Sequence, residues 1–182
     1  MNTPKQFNTP RTLVRAFEEN DLEDYWRLIE ANRPRLEKDF PITVKNTLNK
    51  SATQNWILQK IFAWQQKESF SFLILEKTSA RLVGQLTIKT IDWRIPKAEL
   101  AYFIDADWTG QGLMTEVVRQ GVKVCFEHLS LSKVYIRAAP DNIGSQKIAE
   151  KCGFKMEGLL KKDHRQSDGT LTDVIYYGLL AE

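Results

Sequence analysis

The stretch from Lys97 to Ala138 constrains the fold more than any other part of the chain. An apolar, strand-like run, Lys97 to Asp105, feeds the turn Trp108-Thr109-Gly110-Gln111-Gly112, and an amphipathic helix runs on to about Leu129. A second strand, Lys133 to Ala138, follows at once. Strand, helix and strand in this order form a right-handed parallel crossover within one sheet. The turn also opens the helix, where backbone N–H groups lack partners and the dipole favours negative charge. Two glycines allow a phosphate to approach the backbone closely.

The flanking patterns supply the rest of an α/β sandwich. Thr12 to Phe17 reads as a first strand. Asn20 or Asp21 caps a helix ending near Ala31, and Arg33-Pro34-Arg35 through Phe40-Pro41 reads as a breaker-rich connection. Asn49 or Ser51 starts a second helix to about Gln66, with Trp56, Ile57, Ile61 and Trp64 at helical spacing. Ser69–Glu76 and Leu82–Asp92 are expected to form a hairpin. Asn142 to Lys151 is a short helix closed by Gly153, and Phe154–Lys161 and Leu171–Leu180 are late strands. The expectation is one domain over residues 1–182, a mixed, mostly antiparallel sheet flanked by helices.

Composition excludes several classes. The formal charge of +3 is mild, and no basic stripe is interleaved with aromatics, so nucleic acid is not an expected partner. No apolar run reaches membrane-spanning length, and Met1 to Pro10 carries no apolar leader. Cys125 and Cys152, with His128 and His164, make neither a disulfide framework nor a metal cluster, so no metal is expected. Reduced thiols suggest a cytoplasmic protein. The phosphate loop of nucleotide hydrolases is absent.

Three further clusters follow the glycine turn: Asn142-Ile143-Gly144-Ser145, then Lys151-Cys152-Gly153-Phe154-Lys155-Met156-Glu157-Gly158, then Asp173-Val174-Ile175-Tyr176-Tyr177. In this order and spacing, over residues 99 to 177, they resemble the Gcn5-related N-acetyltransferase (GNAT) superfamily, and within it the ribosomal-protein branch of the RimJ/RimL type. The resemblance implies the acyl-CoA N-acyltransferase fold, acetyl-CoA as co-substrate and direct acetyl transfer to an amine. The implied acceptor is a protein N-terminus, with a small amine (polyamine, amino sugar or antibiotic) or a non-catalytic CoA-binding module as alternatives. Relatives often pair through their sheets, which implies a homodimer.

Amine acetylation needs a base, oxyanion donors and an acid for the leaving thiolate. Glu99 is the candidate base. By strand alternation it shares a face with Ala101 and Phe103, and apolar neighbours are expected to raise its pKa; an ion-paired glutamate is the alternative. Asn142 and Ser145 share a helical face. The resemblance assigns Asn142 to the pantetheine arm and Ser145 to protonation of the thiolate, whereas a plain N-cap and a surface serine are the structural alternatives. Tyr176 and Tyr177 are the other candidate acids. Backbone N–H groups of Gly110, Gln111, Gly112, Leu113, Met114 and Thr115 are expected around the pyrophosphate, and the strand at Phe103 and Ile104 against the cofactor, with an oxyanion donor there. Thr109 and Met114 depart from the superfamily pattern Gln/Arg-x-x-Gly-x-Gly/Ala, which leaves CoA affinity open. Met114 would face the core if the helical phase holds.

Acceptor selectivity is expected from Asn32–Thr43 and from the late hairpin, His164 to Thr172. Trp26, Phe40, Trp56 and Trp93 are either core or cleft. Lys161-Lys162 and His164-Arg165 are either a solvated loop or a phosphate contact. Asp173 either binds a substrate ammonium or pairs with a lysine.

Overall fold

A computed structural model describes residues 3–182. Among the described residues, eight strands form one sheet. In chain order they are β1 (Gln6–Asn8), β2 (Thr12–Ala16), β3 (Phe70–Glu76), β4 (Leu82–Asp92), β5 (Lys97–Ile104), β6 (Lys133–Ala138), β7 (Lys155–Arg165) and β8 (Leu171–Leu180). Their order across the sheet is β1-β2-β3-β4-β5-β6-β8-β7. Among the described residues only β5 and β6 run parallel, as a crossover through a helix requires. The helices are α1 (Leu22–Asp39), α2 (Pro41–Lys45), α3 (Lys50–Gln65), α4 (Leu113–Lys123) and α5 (Ile143–Lys151). None is long and apolar enough to cross a membrane, among the described residues.

Alternation along the strands divides the core in two. Leu86, Leu100, Val117, Val118 and Ile136 belong to a cluster shared by the sheet and α4. Tyr25, Leu28, Ile29, Ile57, Leu73 and Phe103 form a second cluster under α1 and α3. Leu100 and Phe103 therefore leave β5 on opposite sides, as the period of two demands. Met114 is buried in the α4 cluster, consistent with its helical phase. Asn49 caps α3 by accepting from the Ala52 N–H at 2.9 Å.

Several segments differ from the sequence reading, including α2, which falls where a breaker-rich connection was expected. First, α1 does not stop near Ala31 but continues through Pro34 to Asp39. Leu28, Ile29, Asn32 and Leu36 share its buried face. Burying Leu36 returns about 1.5–3 kcal/mol, comparable with the roughly 3 kcal/mol penalty of an interior proline. The side-chain anchors on the sheet described below add to it. Second, β7 runs to Arg165 rather than Lys161, with a register shift between Leu160 and His164 and Lys162 at φ 53°. This bulge keeps the ribbon paired while re-aiming it. Third, α4 ends at Lys123 in a wide turn, Val124–His128, where the Leu129 N–H donates to Val124 O, five residues back. The three-residue β1 is too short to leave a period in the sequence.

Gly84 on β4 lets β5 lie close against it, because a Cβ there would lie 2.6 Å from Phe103 O. Gly84→Ala should therefore cost roughly 1–3 kcal/mol by forcing β5 outward, read as a lower denaturation midpoint at unchanged m-value.

Candidate active site

The site begins where two parallel strands part. β5 and β6 are in register only at Lys97↔Lys133, Ala98↔Val134 and Glu99↔Tyr135. Beyond Glu99, β5 follows β4 and β6 follows β8, so a gap opens in the middle of the sheet. The C-terminal half of α1 straps this gap. On the β5 side Asn32 Nδ2 donates to Asp105 Oδ1 at 3.2 Å, the Ala106 N–H donates to Asn32 Oδ1 at 2.9 Å, and Arg35 donates to Ile104 O. On the β6 side Lys38 pairs with Asp141, Asn142 Nδ2 donates to Asp39 Oδ2 at 3.1 Å, and His164 Nε2 lies 3.2 Å from Lys38 O.

The glycine turn closes one end of the gap. Gly110 and Gly112 sit at φ 75° and 81°, the left-handed region that glycine enters without strain. Among the described residues, the N–H groups from Gly110 to Thr115 meet no protein acceptor. They cluster at the N-terminus of α4, an arrangement suited to an anion. Thr109 borders the groove, but its Oγ1 is engaged with Ala106 O at 2.8 Å. The Gln111 side chain turns back to Asp107 O at 3.0 Å, so it is the one turn candidate outside the groove lining. Arg11, invisible to motif reading because it lies a hundred residues upstream, buttresses the turn: it donates to Gln111 O at 2.8 Å and to Glu116 Oε1 at 2.9 Å.

From this turn a groove of about 420 Å³ runs between β5 and α5. Phe103, Ile104, Gly110, Gly112, Leu113, Met114 and Thr115 line it, as do Asn142 and Ser145. Arg35, Lys147 and Lys151 add positive charge to its walls. A second, smaller chamber of about 90 Å³ holds Glu99, Lys89, Arg137 and His164. Asp39, Phe40, Tyr102, Asn142 and Ser145 border both spaces. The structure thus brings Glu99 and Ser145 to one connected cleft.

Glu99 is 4% exposed. The expected apolar surroundings are not there: Lys89 Nζ lies 3.3 Å from Oε1, Arg137 Nε lies 3.4 Å from Oε2, and Thr90 Oγ1 donates weakly at 3.5 Å. The ion-paired alternative describes its setting. Strand alternation keeps Ala101 and Phe103 on its side, but Lys89 enters from β4 and Arg137 from β6, and a single-strand reading contains neither.

Ser145 is met by Tyr102, which leaves β5 on the opposite face from Glu99. The two hydroxyls are 3.1 Å apart, and Tyr102 OH also reaches Ser145 O at 3.3 Å. Burial pushes the Tyr102 phenol well above its ordinary range, partly opposed by the Ser145 hydrogen bond, so it stays protonated at neutral pH. Strand alternation turns Tyr102 away from the Glu99 face, but its contact with Ser145, 43 residues on, leaves no trace in the sequence. Asn142 is an N-cap, its Oδ1 accepting from the Ser145 N–H at 3.0 Å.

Other candidates lie elsewhere. Tyr176 stacks on Tyr135 at 4.7 Å, and Tyr177 is buried in the core; neither lines the cleft. Asp173 pairs with Lys161 Nζ at 2.8 Å and accepts from the Lys162 N–H at 3.0 Å. Of the four aromatics only Phe40 borders the cleft, edge-on to Phe103 at 5.3 Å. Trp26 lies under Arg33, Trp56 under Lys60, and Trp93 sits in the β4–β5 turn.

Burial pushes the Asp39 carboxyl above the usual range. Lys38, His164 and the Asn142 hydrogen bond oppose this, and Asp141 reinforces it. The unfolded chain therefore releases this proton at lower pH than the folded one, and rising pH between the two values favours unfolding. Asp39→Asn should raise the thermal midpoint at pH 7 relative to the parent protein. That advantage should vanish near about pH 3, below the unfolded carboxylate pKa; paired melts at the two pH values check this.

The profile of the acetyltransferase (GNAT) domain matches residues 11–155. The Bacillus subtilis (strain 168) protein named "Probable N-acetyltransferase YjcK" is 29% identical over 151 residues, 82% of this chain and 83% of the relative. The ribosomal-protein-serine acetyltransferase of Escherichia coli (strain K12) is 23% identical over 151 residues, 82% of each chain. Mycobacterium smegmatis RimJ, solved in complex with CoA-disulfide, superposes with a TM-score of 0.85 at 22% identity, over 97% of this chain and 86% of its own, and so shares the fold. A mid-sheet gap, a left-handed glycine turn opening α4 and a profile match over most of the chain converge: this protein belongs to the GNAT family and is an N-acetyltransferase.

Proposed function

We propose that the protein transfers an acetyl group directly from acetyl-CoA to the α-amino group at a protein N-terminus. The observation that carries this is the meeting of two spaces at Tyr102 and Ser145: a groove ending in unclaimed N–H groups, and a chamber holding a buried glutamate. The groove suits an elongated diphosphate. Gly110 to Thr115 offer N–H donors to the pyrophosphate, with Lys147 and Lys151 alongside. The edge of β5 beyond Glu99, which β6 does not pair, offers backbone groups to the amides of the pantetheine arm, with Ile104 O already held by Arg35. That M. smegmatis RimJ was solved with CoA-disulfide supports this ligand. The E. coli relative's action on a ribosomal-protein serine supports the N-terminal acceptor.

In this reading Glu99 takes one proton from the substrate ammonium, which frees the nitrogen lone pair that attacks the thioester carbon. The C–N bond forms, the C–S bond breaks, and the departing sulfur takes a proton from Ser145, which Tyr102 replenishes through their hydroxyl contact; the second proton lost by the nitrogen as the amide forms restores Tyr102. Lys89 and Arg137 hold the glutamate in place.

Glu99→Gln should lower turnover by roughly 10²–10⁴-fold, the usual contribution of a general base, while CoA affinity by calorimetry stays unchanged. Ser145→Ala and Tyr102→Phe should each slow transfer, and their double variant should lose less than the product of the two, because they act as one unit. Gly112→Glu should abolish CoA binding, since it sets an anion and a side chain at the pyrophosphate position. The deciding experiment offers labelled acetyl-CoA to peptides with free Ser or Ala N-termini, polyamines and aminoglycosides together. Label in the peptides carries the proposal, and label in the small amines alone replaces the acceptor.

A further inference from the structure

The smaller chamber contains two carboxylates, Glu99 and Asp39. Glu99 already faces two cations, Lys89 and Arg137. Asp173, a third candidate from the sequence, lies outside the cleft and is held by Lys161. Asp39 differs from both. Its neighbour Lys38 is directed to Asp141 instead. Among the described residues Asp39 Oδ2 accepts one hydrogen bond, from Asn142, and Oδ1 accepts none. It borders both the chamber and the groove, beside the Tyr102–Ser145 pair. A half-buried carboxylate without a paired cation is unfavourable, and a cation brought to it recovers that cost.

We propose that Asp39 binds the ammonium group of the acceptor, with Oδ1 as its hydrogen-bond acceptor. This rests on the reading that the cleft acetylates an amine. It deepens that reading by separating two tasks: Asp39 docks the charged amine, while Glu99, neutralised by its own partners, is left for the proton. Burial of the Asp39 carboxyl, which raises its affinity for a proton, equally raises its demand for a neighbouring cation. The assignment also gives the reaction a direction of release. Acetylation removes the charge, so the product loses the attraction that held the substrate.

Asp39→Asn is the informative variant, because its amide oxygen can still accept from Asn142 and keep the α1–α5 contact. The acceptor is the best amine from the panel above. The Michaelis constant for that amine should rise roughly 10- to 100-fold, the range of one hydrogen bond to a charged group. CoA affinity and inhibition by the uncharged acetylated product should stay within about twofold of the parent. Asp39→Glu, which keeps the charge, should recover part of the loss. An unchanged Michaelis constant overturns the assignment, and so does a rise matched by equal losses in CoA and product affinity, which marks a structural role. Failure of the parent protein to acetylate any amine removes both this inference and the reading beneath it, whereas transfer by the parent with an indifferent Asp39→Asn removes this inference alone.

Discussion

The loss of pairing between β5 and β6 after Glu99 and Tyr135 is the constraint on which the rest depends. Backbone groups in the interior of a sheet are normally satisfied by the neighbouring strand. Here the neighbour leaves, and the freed edge lies in the middle of the molecule rather than at its rim. Every element of the cleft is arranged around that edge. α4 begins at one end of it, α5 flanks it, α1 crosses it, and the buried glutamate stands at the last paired position.

The strap is what makes the gap a site rather than a defect. α1 is anchored to β5 through Asn32 and Arg35 and to the β6–α5 loop through Lys38 and Asp39. From Asp39 the contacts continue through Asn142 to the backbone of Ser145. One chain of hydrogen bonds therefore joins α1, at the border of the chamber, to the serine at the border of the groove. Displacing α1 would unsettle the α5 N-terminus as well as the chamber, so the two halves of the cleft are mechanically linked through a polar network.

Much of this was legible in the sequence, and the failures have physical causes. The boundaries of β4, β6 and β8 follow from strand alternation and turn residues, because those signals are local. The glycine turn was legible for the same reason: only glycine enters the left-handed region at Gly110 and Gly112 without strain. The end of α1 was misread because Pro34 is a strong local breaker, while what overrides it, Leu36 in the core and Arg35 on Ile104 O, is tertiary. The setting of Glu99 was misread because its cations arrive from β4 and β6. Arg11, Asp39 and Tyr102 were missed because each meets its partner 43 to 105 residues away, and no periodicity records such a pairing.

The gap also divides the sheet into two plates, β1 to β5 on one side and β6, β8 and β7 on the other, hinged along three residue pairs. A molecule lodged between the plates would be a load-carrying part of the architecture, replacing the strand contacts that the divergence gives up. Occupancy and rigidity are then coupled: at a ligand concentration of 100 times Kd the folded state gains about 2.7 kcal/mol, and in such a scaffold that gain would fall mainly on the seam between the plates.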